Sequence, residues 1–408
     1  LWRLKQGSIY IHNPDYRRNY NGILEKLSLN GLKRKLKKED SVIFDMTRYN
    51  EKTKNDIAFL KTFGCKKNSF SVFGPVADKL RTSHRVIGSS AITETIEFDR
   101  LKGIRLAEKL GFEIPPYKKF DTLPEGKRFL ESRKDLWVLK PLDNKDLDLT
   151  YVENFPGELL RKFEGDYKIR LPDKIEYILQ KKIDGNELST EVWIPGGHYN
   201  HTLENKHLMD SDLSVHIGSQ SNSVWLKKDD FLKPQLKKLA KFLSSHGYKG
   251  PCDVNCIIKN GKAYFLEFTP RFGFDALYGL LTLLKTPLRD FFTKDFKGEF
   301  YDGYAATERI SIPPYPYSNK RLLLNMAKDV FVKEPLESFW AEDVYLNNGL
   351  RCSGSDGIVG VLSARGGNLE EAWGRLYRKL KQFRIASYKQ YRTDGLKSHK
   401  GRLWRLKN

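Results

Sequence analysis

The chain is poor in sulfur, with three methionines and four cysteines (Cys65, Cys252, Cys256 and Cys352) in 408 residues. The one close spacing is a Cys-x3-Cys with no second pair to complete a tetrahedral site, which excludes a zinc ribbon or a disulfide framework as the source of stability. Strand alternation over 252–258 places Cys252 and Cys256 on one face, as reduced core residues of a cytoplasmic protein. Long apolar runs are also missing. Each is broken by charge within about a dozen residues, short of the roughly 20 that span a bilayer, so no membrane partner is expected. The first residues, Leu1-Trp2-Arg3-Leu4-Lys5, lack an initiator methionine and an apolar signal core, which reads as numbering that begins inside a longer product or after processing. Acidic residues are scarce at the other end: from Arg375 onward there are twelve Lys and Arg and one acid, Asp394.

What is present is apolar bulk and positive charge. Hydrophobic residues make up 39% of the chain, including 24 Phe, 20 Tyr and 7 Trp, enough for two or three packed units. The formal charge is +21, which attracts polyanions. Basic residues gather at both ends, notably Lys33-Arg34-Lys35-Leu36-Lys37-Lys38. These runs read either as solvated faces or as a footprint for DNA or another polyanion.

Short apolar runs at 8–11, 41–44 and 70–73 alternate with helical-period stretches such as 57–63, the rhythm of an open α/β layer. A helix is expected over 97–110, closed by Gly111. Strands are expected at 136–141, 177–183 and 187–194, and a helix at 234–246. The Asn260-Gly261 pair between 253–258 and 263–268 signals a tight hairpin. A strand follows at 357–363, and Asn368 is placed to cap a helix running past Leu376. Leu-Trp-Arg-Leu-Lys occurs at 1–5 and again at 403–407, too few copies for a repeat architecture.

The hairpin carries the chemistry. In Tyr264-Phe265-Leu266-Glu267-Phe268-Thr269-Pro270-Arg271-Phe272-Gly273, alternation puts Glu267, Thr269 and Arg271 on one face: a carboxylate for Mg²⁺, a hydroxyl, and a guanidinium for phosphate or carboxylate oxygens. A solvated edge strand is the plainer alternative. Upstream, Lys140 ends one strand, residues 180–183 form another, and Glu187 follows the turn Asp184-Gly185-Asn186. That order suits a clamp on ATP: a lysine for phosphate, backbone for adenine, Glu187 for ribose and Glu267 for the bridging metal.

With these residues in place, the chain resembles the ATP-grasp superfamily, and within it the phosphoribosylamine-glycine ligases of purine biosynthesis. The resemblance covers about 70–395. It rests on Phe73-Gly74-Pro75 with Val86-Ile87-Gly88-Ser89-Ser90, Trp137-Val138-Leu139-Lys140-Pro141, residues 179–189, Glu204-Asn205-Lys206 with Asp212 and Gly218, Leu266 to Gly273, and the closing segments 360–372 and Tyr391-Arg392-Thr393-Asp394-Gly395. It implies a mixed α/β chain: an N-terminal open α/β pre-ATP-grasp domain (1–95), an ATP-grasp domain (96–305) with two subdomains and a linker near 180–184, and a small C-terminal α/β domain with a basic tail (306–408). The implied reaction joins an amino acid such as glycine to a small-molecule amine, making an amide through an acyl phosphate. Lys140, Gln180, Lys181, Ile183 and Glu187 would bind ATP. Glu267, Thr269, Asn255 and Asp253 would take Mg²⁺, with Mn²⁺ as the alternative. Arg271, Lys206 and Asp212 would act in catalysis, Arg271 on the acyl phosphate and Asp212 on the amine.

The chain departs from that pattern at substrate-facing positions. The loop after Lys140, Asp143-Asn144-Lys145-Asp146-Leu147-Asp148-Leu149, has no glycine for close approach to phosphate. Thr269 stands where the family has an asparagine metal ligand, and Asp253 and Asn255 on the neighbouring strand are the candidates to supply the missing oxygen. Val76 replaces a substrate-binding glutamate, and Phe274-Asp275 follows Arg-Phe-Gly. Two other readings therefore stand beside the small-molecule ligase: an amide ligase acting on a macromolecule, such as one attaching amino acids to hypermodified viral DNA bases, and a non-catalytic nucleic-acid-binding scaffold.

Overall fold

The computed structural model describes residues 86–407 except 89, 143–149, 165–173, 198, 227–231, 272, 274 and 334–336, together with 10–11, 22–23, 25–26, 31, 34, 42–43, 69–70 and 78. The glycine-free loop, Val76, Cys65, the basic run 33–38, the expected helix 57–63 and the first Leu-Trp-Arg-Leu-Lys lie largely or wholly outside the described residues. In the N-terminal part, Val42–Ile43, Ser69–Phe70 and Val86–Ile87 pair in parallel, as the α/β rhythm predicts.

The expected helix over 97–110 is the second of two. Helix α1 (Ala91–Phe98) is closed by a capping box at Ser90, and α2 (Arg100–Leu110) begins at once behind Asp99. Asp99 sits in an extended conformation, and its carboxylate accepts from Lys102 N, so one residue stops the first helix and starts the next. Gly111, at φ 92°, closes α2 in the left-handed region.

Two sheets follow. The smaller has the order β1-β4-β2-β3, from β1 (Tyr117–Thr122), β2 (Trp137–Pro141), β3 (Tyr151–Val152) and β4 (Lys174–Lys181). Its buried Phe120, Trp137, Leu139, Tyr177 and Leu179 pack under α3 (Leu123–Glu131) and α4 (Glu158–Glu164). The approach is close: a Cβ on Gly126 of α3 would stand 1.9 Å from the Tyr177 hydroxyl, so only glycine fits there.

The larger sheet contains β5 (Asn186–Ile194), β6 (Tyr199–His207), β7 (His216–Leu226), β8 (Gly250–Lys259), β9 (Lys262–Thr269), β10 (Tyr304–Ser311), β11 (Phe339–Ala341) and β12 (Ile358–Gly366). Its order is β9-β8-β5-β6-β7-β10-β12-β11, antiparallel throughout. The β8–β9 hairpin turns on Asn260 (φ 50°) and Gly261 (φ 71°), the primed-turn geometry that Asn-Gly predicts. Position 305/306, the expected start of the C-terminal domain, falls inside β10, which pairs with β7 on one side and β12 on the other. The C-terminal strands therefore continue the sheet that carries the site.

Register decides what each face holds. Leu188, Val192, Cys252, Val254 and Cys256 alternate onto one face and join Ile104, Ala107, Leu239, Leu243, Phe265 and Phe268 from α2, α5 (Lys233–Ser245) and β9 in the main core. Cys252, Cys256 and Cys352 are free thiols and buried, as the alternation predicts for the first two. Toward the C-terminus, α6 (Lys320–Met326) precedes α7 (Leu369–Gln382), which is capped by Asn368, whose side chain accepts from Glu371 N, and which buries Trp373, Leu376 and Leu380. Helix α8 (Gly395–Lys407) crosses the sheet beside it and contains the second Leu-Trp-Arg-Leu-Lys. No helix among the described residues is long and apolar enough to cross a membrane.

Candidate active site

The face opposite the main core is polar where the apolar alternation skips. Ser189 pairs with Asn255 and Glu191 with Asp253, while across the hairpin Asn255 pairs with Glu267 and Asp253 with Thr269. The ladder jumps from Asn255–Glu267 to Cys256–Phe265, leaving Leu266 as the extra residue of a β-bulge. The bulge keeps both Phe265 and Phe268 in the core. It also turns Leu266 and Glu267 toward a cleft that they line with Glu97 and Arg100 of α1–α2, Lys140 of β2 and Ile178 of β4. Lys140 and Glu267, from different sheets, thus line one narrow cleft whose inner volume, about 10 Å³, has room for about one water.

Arg271 lies beyond the end of β9, and the expected three-residue stripe is broken there. Its Nε donates to Glu97 Oε1 at 2.8 Å, anchoring the strand end to α1. Glu97 is held above the usual carboxylate range, first by burial, against the lowering effect of Arg271. Arg100 donates from Nε to the Pro141 carbonyl at 2.8 Å, next to Lys140. Burial and then Arg100 push the Lys140 ammonium down to about 8, while Glu267 and Glu187 pull the other way. Glu97 and Arg100 escape sequence reasoning because two charged residues on helix surfaces look like ordinary solvated charge; only the docking of α1–α2 against β9 gives them a site.

Lys206 contacts Glu187 by a short ion pair and stands 4.0 Å from Glu204. These carboxylates raise its pKa against the cost of burial, so it stays charged. Around it lies an acidic wall in which Glu191, not singled out by the sequence, joins Glu204 and Asp253. Burial, with mutual repulsion, lifts Glu191 to about 8, Glu204 to about 7 and Asp253 to about 6. The Ser189 hydroxyl donates to Asp253 Oδ1 at 2.7 Å.

No group of three or more His, Cys, Asp or Glu among the described residues is arranged to hold a metal. The donor set nonetheless fits Mg²⁺, which keeps several waters and needs only one or two protein ligands beside substrate phosphate. Asn255 Oδ1 is buried without a hydrogen-bond partner, opposite the exposed carboxylate of Glu267. Thr269 and Asp253 face each other one pair further on.

Of the other expected residues, Gln180 is buried, and the Lys181 ammonium pairs with Asp135 at 3.0 Å. The backbone N–H groups of Lys181 and Lys182 donate to the carbonyls of Pro116 and Leu136. Ile183 follows, two residues beyond the end of β4. Asp212 sits apart, in an exposed loop tied to the C-terminal segment. It accepts from Arg392 at 2.7 Å, while Asp210 takes Thr393 N and Asp394 takes Ser211 N. Ser211 and Asp212 both adopt positive φ in that loop. Arg392 is fully buried and also holds Asp394.

No protein-family model matches the chain. Among solved structures it is similar to the phosphoribosylamine-glycine ligase of Thermotoga maritima, with a TM-score of 0.65, 18% identity, and 87% of this chain and 94% of that one covered. It is also similar to the biotin carboxylase of Campylobacter jejuni, solved as a β-γ-ATP complex (TM-score 0.56, 12% identity, 100% and 92% covered). The biotin carboxylase domain of Hydrogenobacter thermophilus 2-oxoglutarate carboxylase, solved with MgADP, ADP and bicarbonate, gives a TM-score of 0.57 at 12% identity, with 92% and 84% covered. By sequence it is 20% identical over 250 residues to the carbamoyl phosphate synthase large chain of Saccharolobus islandicus, covering 58% of this chain and 23% of that one. The fold is therefore ATP-grasp, as the sequence implied. The chain spans about a quarter of the length of the curated relatives that it matches.

Proposed function

We propose that the protein is an ATP-dependent carboxylate–amine ligase. The observation that carries this reading is the meeting of Lys140 and Glu267 at one cleft between two sheets, with the unpartnered Asn255 Oδ1 beside the carboxylate. The Lys140 ammonium meets the ATP phosphates. The Lys181 and Lys182 N–H groups are already paired, so the adenine edge falls to the backbone at Ile183, with Gln180 behind it, and Glu187 takes the ribose. Mg²⁺, held by Glu267 and Asn255 with Thr269 and Asp253 at its margin, would lower the charge of the phosphates being transferred; Mn²⁺ fits the same oxygens.

In the first step an oxygen of the substrate carboxylate attacks the γ-phosphorus and ADP leaves, giving an acyl phosphate. In the second, an amine attacks the carbonyl carbon, inorganic phosphate leaves with the C–O bonding pair, and the amine loses a proton. Lys140, Lys206 and Arg271 supply positive charge where two anions must approach. The acidic wall of Glu191, Glu204 and Asp253 favours an ammonium substrate and can accept its proton. Glycine with a phosphoribosylamine-like amine is the first pair to test, given the Thermotoga maritima likeness, in the cytoplasmic setting that suits buried free thiols.

The test is ADP release with Mg²⁺ across a panel of amino acids and amines. Release that requires both substrates and disappears in Glu267→Ala supports the reading. Release that ignores them, or survives that substitution, overturns it.

A further inference from the structure

We propose that helices α7 and α8, with the segment joining them, form a binding surface for single-stranded nucleic acid. This inference stands independently of the ligase reading. The inner faces of both helices are occupied: Trp373, Leu376 and Leu380 are buried in the C-terminal core, and Leu403 and Leu406 pack on the main core. The only acid after Glu371, Asp394, is engaged by Arg392. Arg378, Lys381, Arg384 and Lys397 are left exposed. Two aromatic rings stand out with them, Tyr388 at 87% and Trp404 at 64% exposure.

The helices run side by side in opposite directions, because Leu396 N donates to the Tyr377 hydroxyl and Lys400 pairs with Glu370. At 1.5 Å per residue, the track from the end of α7 to Trp404 is about 20 Å long. An unstacked single strand spans more per nucleotide than the roughly 3.4 Å of a duplex strand, so the track holds fewer than about six nucleotides. Cations flanked by exposed rings suit unpaired bases, which stack on aromatic faces, whereas paired bases in a duplex offer no such face. An anionic membrane is a poorer fit, since the apolar side of α8 is already turned into the protein. The far end of the track is fastened to β5 and β6 beside Lys206: Arg402 donates to the carbonyls of Glu187 and Glu204, and Arg405 to Asn186 Oδ1.

The test is fluorescence anisotropy with a labelled oligothymidylate of about twelve residues and a duplex of equal length. Four phosphate contacts give a log–log salt slope near −3, so affinity falls about 50-fold between 50 and 200 mM salt. Lys381→Gln with Lys397→Gln halves that slope. Trp404→Ala and Tyr388→Ala each weaken single-strand binding about tenfold while Trp404→Phe retains it. All these side chains are exposed, and an unchanged melting temperature confirms the fold. Salt-independent binding, a duplex bound as tightly as the single strand, or aromatic variants that bind as the parent does would each overturn the proposal, whatever the ADP-release assay shows.

Discussion

On the proposed reading, in which Lys140 meets the ATP phosphates, ATP affinity depends on pH in a calculable way. Its ammonium is pushed down to about 8 because burial and the neighbouring Arg100 disfavour the charge. Phosphate oxygens in the cleft restore a stable charge, returning the group toward the usual lysine value of about 10.4. Binding must therefore take up a proton from the fraction of protein that has lost it, and affinity falls as pH rises through 8. From pH 7.5 to 9 the neutral fraction grows from about one quarter to about nine tenths, which weakens ATP binding about eightfold, or about 1.3 kcal/mol. Isothermal titration in two buffers of different ionisation enthalpy reads the uptake directly: about half a proton per ATP at pH 8. Lys140→Arg holds its charge throughout and flattens the pH dependence. An ATP affinity constant from pH 7.5 to 9 in the parent protein, with no buffer-dependent heat, would refute this account of the cleft.

Three further outcomes follow from the same geometry. Asn255→Asp adds a charge opposite Glu267 and should tighten Mn²⁺ binding about tenfold, read by paramagnetic relaxation of water, whereas Glu267→Ala abolishes it; an Asn255→Asp affinity equal to the parent's would separate Asn255 from the metal. Glu191, Glu204 and Asp253 all have raised pKa values in the folded state, about 8, 7 and 6, so the native state binds more protons than the unfolded one and stability falls as pH rises between about 4 and 8. Urea unfolding at pH 5.5 and 7.5 without divalent ions checks that sign, and Glu191→Gln should reduce the dependence. Arg309 holds Asp275 by two hydrogen bonds at 2.9 and 3.0 Å in a buried pair, so Arg309→Met leaves a buried carboxylate alone and costs about 3–5 kcal/mol by denaturant titration, while the double change with Asp275→Leu recovers most of it.

The hairpin, the strand alternation and the caps were legible because each rests on local chemistry. Asn260-Gly261 fixes a turn, Asn368 a helix start, and the period of two from Leu188 to Ile194 and from Cys252 to Cys256 separates the core face from the site face. Lys140 and Glu267 could be named for the same reason: each ends or interrupts an apolar strand. What was not legible depends on register and docking. The bulge at Leu266 has no sequence mark, yet it aims Glu267 into the cleft. Arg271 was expected beside Glu267 but reaches Glu97, a partner 174 residues away in the chain. Asp212 has the composition of a substrate loop, and only the fold shows it fastened to Arg392.

That fastening changes the meaning of the C-terminal segment. Tyr391 to Gly395 is tied to the 210–214 loop through Asp210, Ser211 and Asp212, and α8 is tied to β5 and β6 through Arg402. Both attachments end within a few residues of Lys206, the cation that joins Glu187 and Glu204. The wall around Lys206 therefore cannot keep its shape if the C-terminal segment leaves. A cut after Phe383 would remove Arg392 and Arg402 together, exposing the Ser223 and Glu308 positions that the segment now covers and leaving Glu308, a buried carboxylate with one oxygen already unpartnered, without the Arg392 N–H. The candidate site is thus built by three distant parts of the chain, and the last of them is fastened to it through the Arg392 and Arg402 side chains.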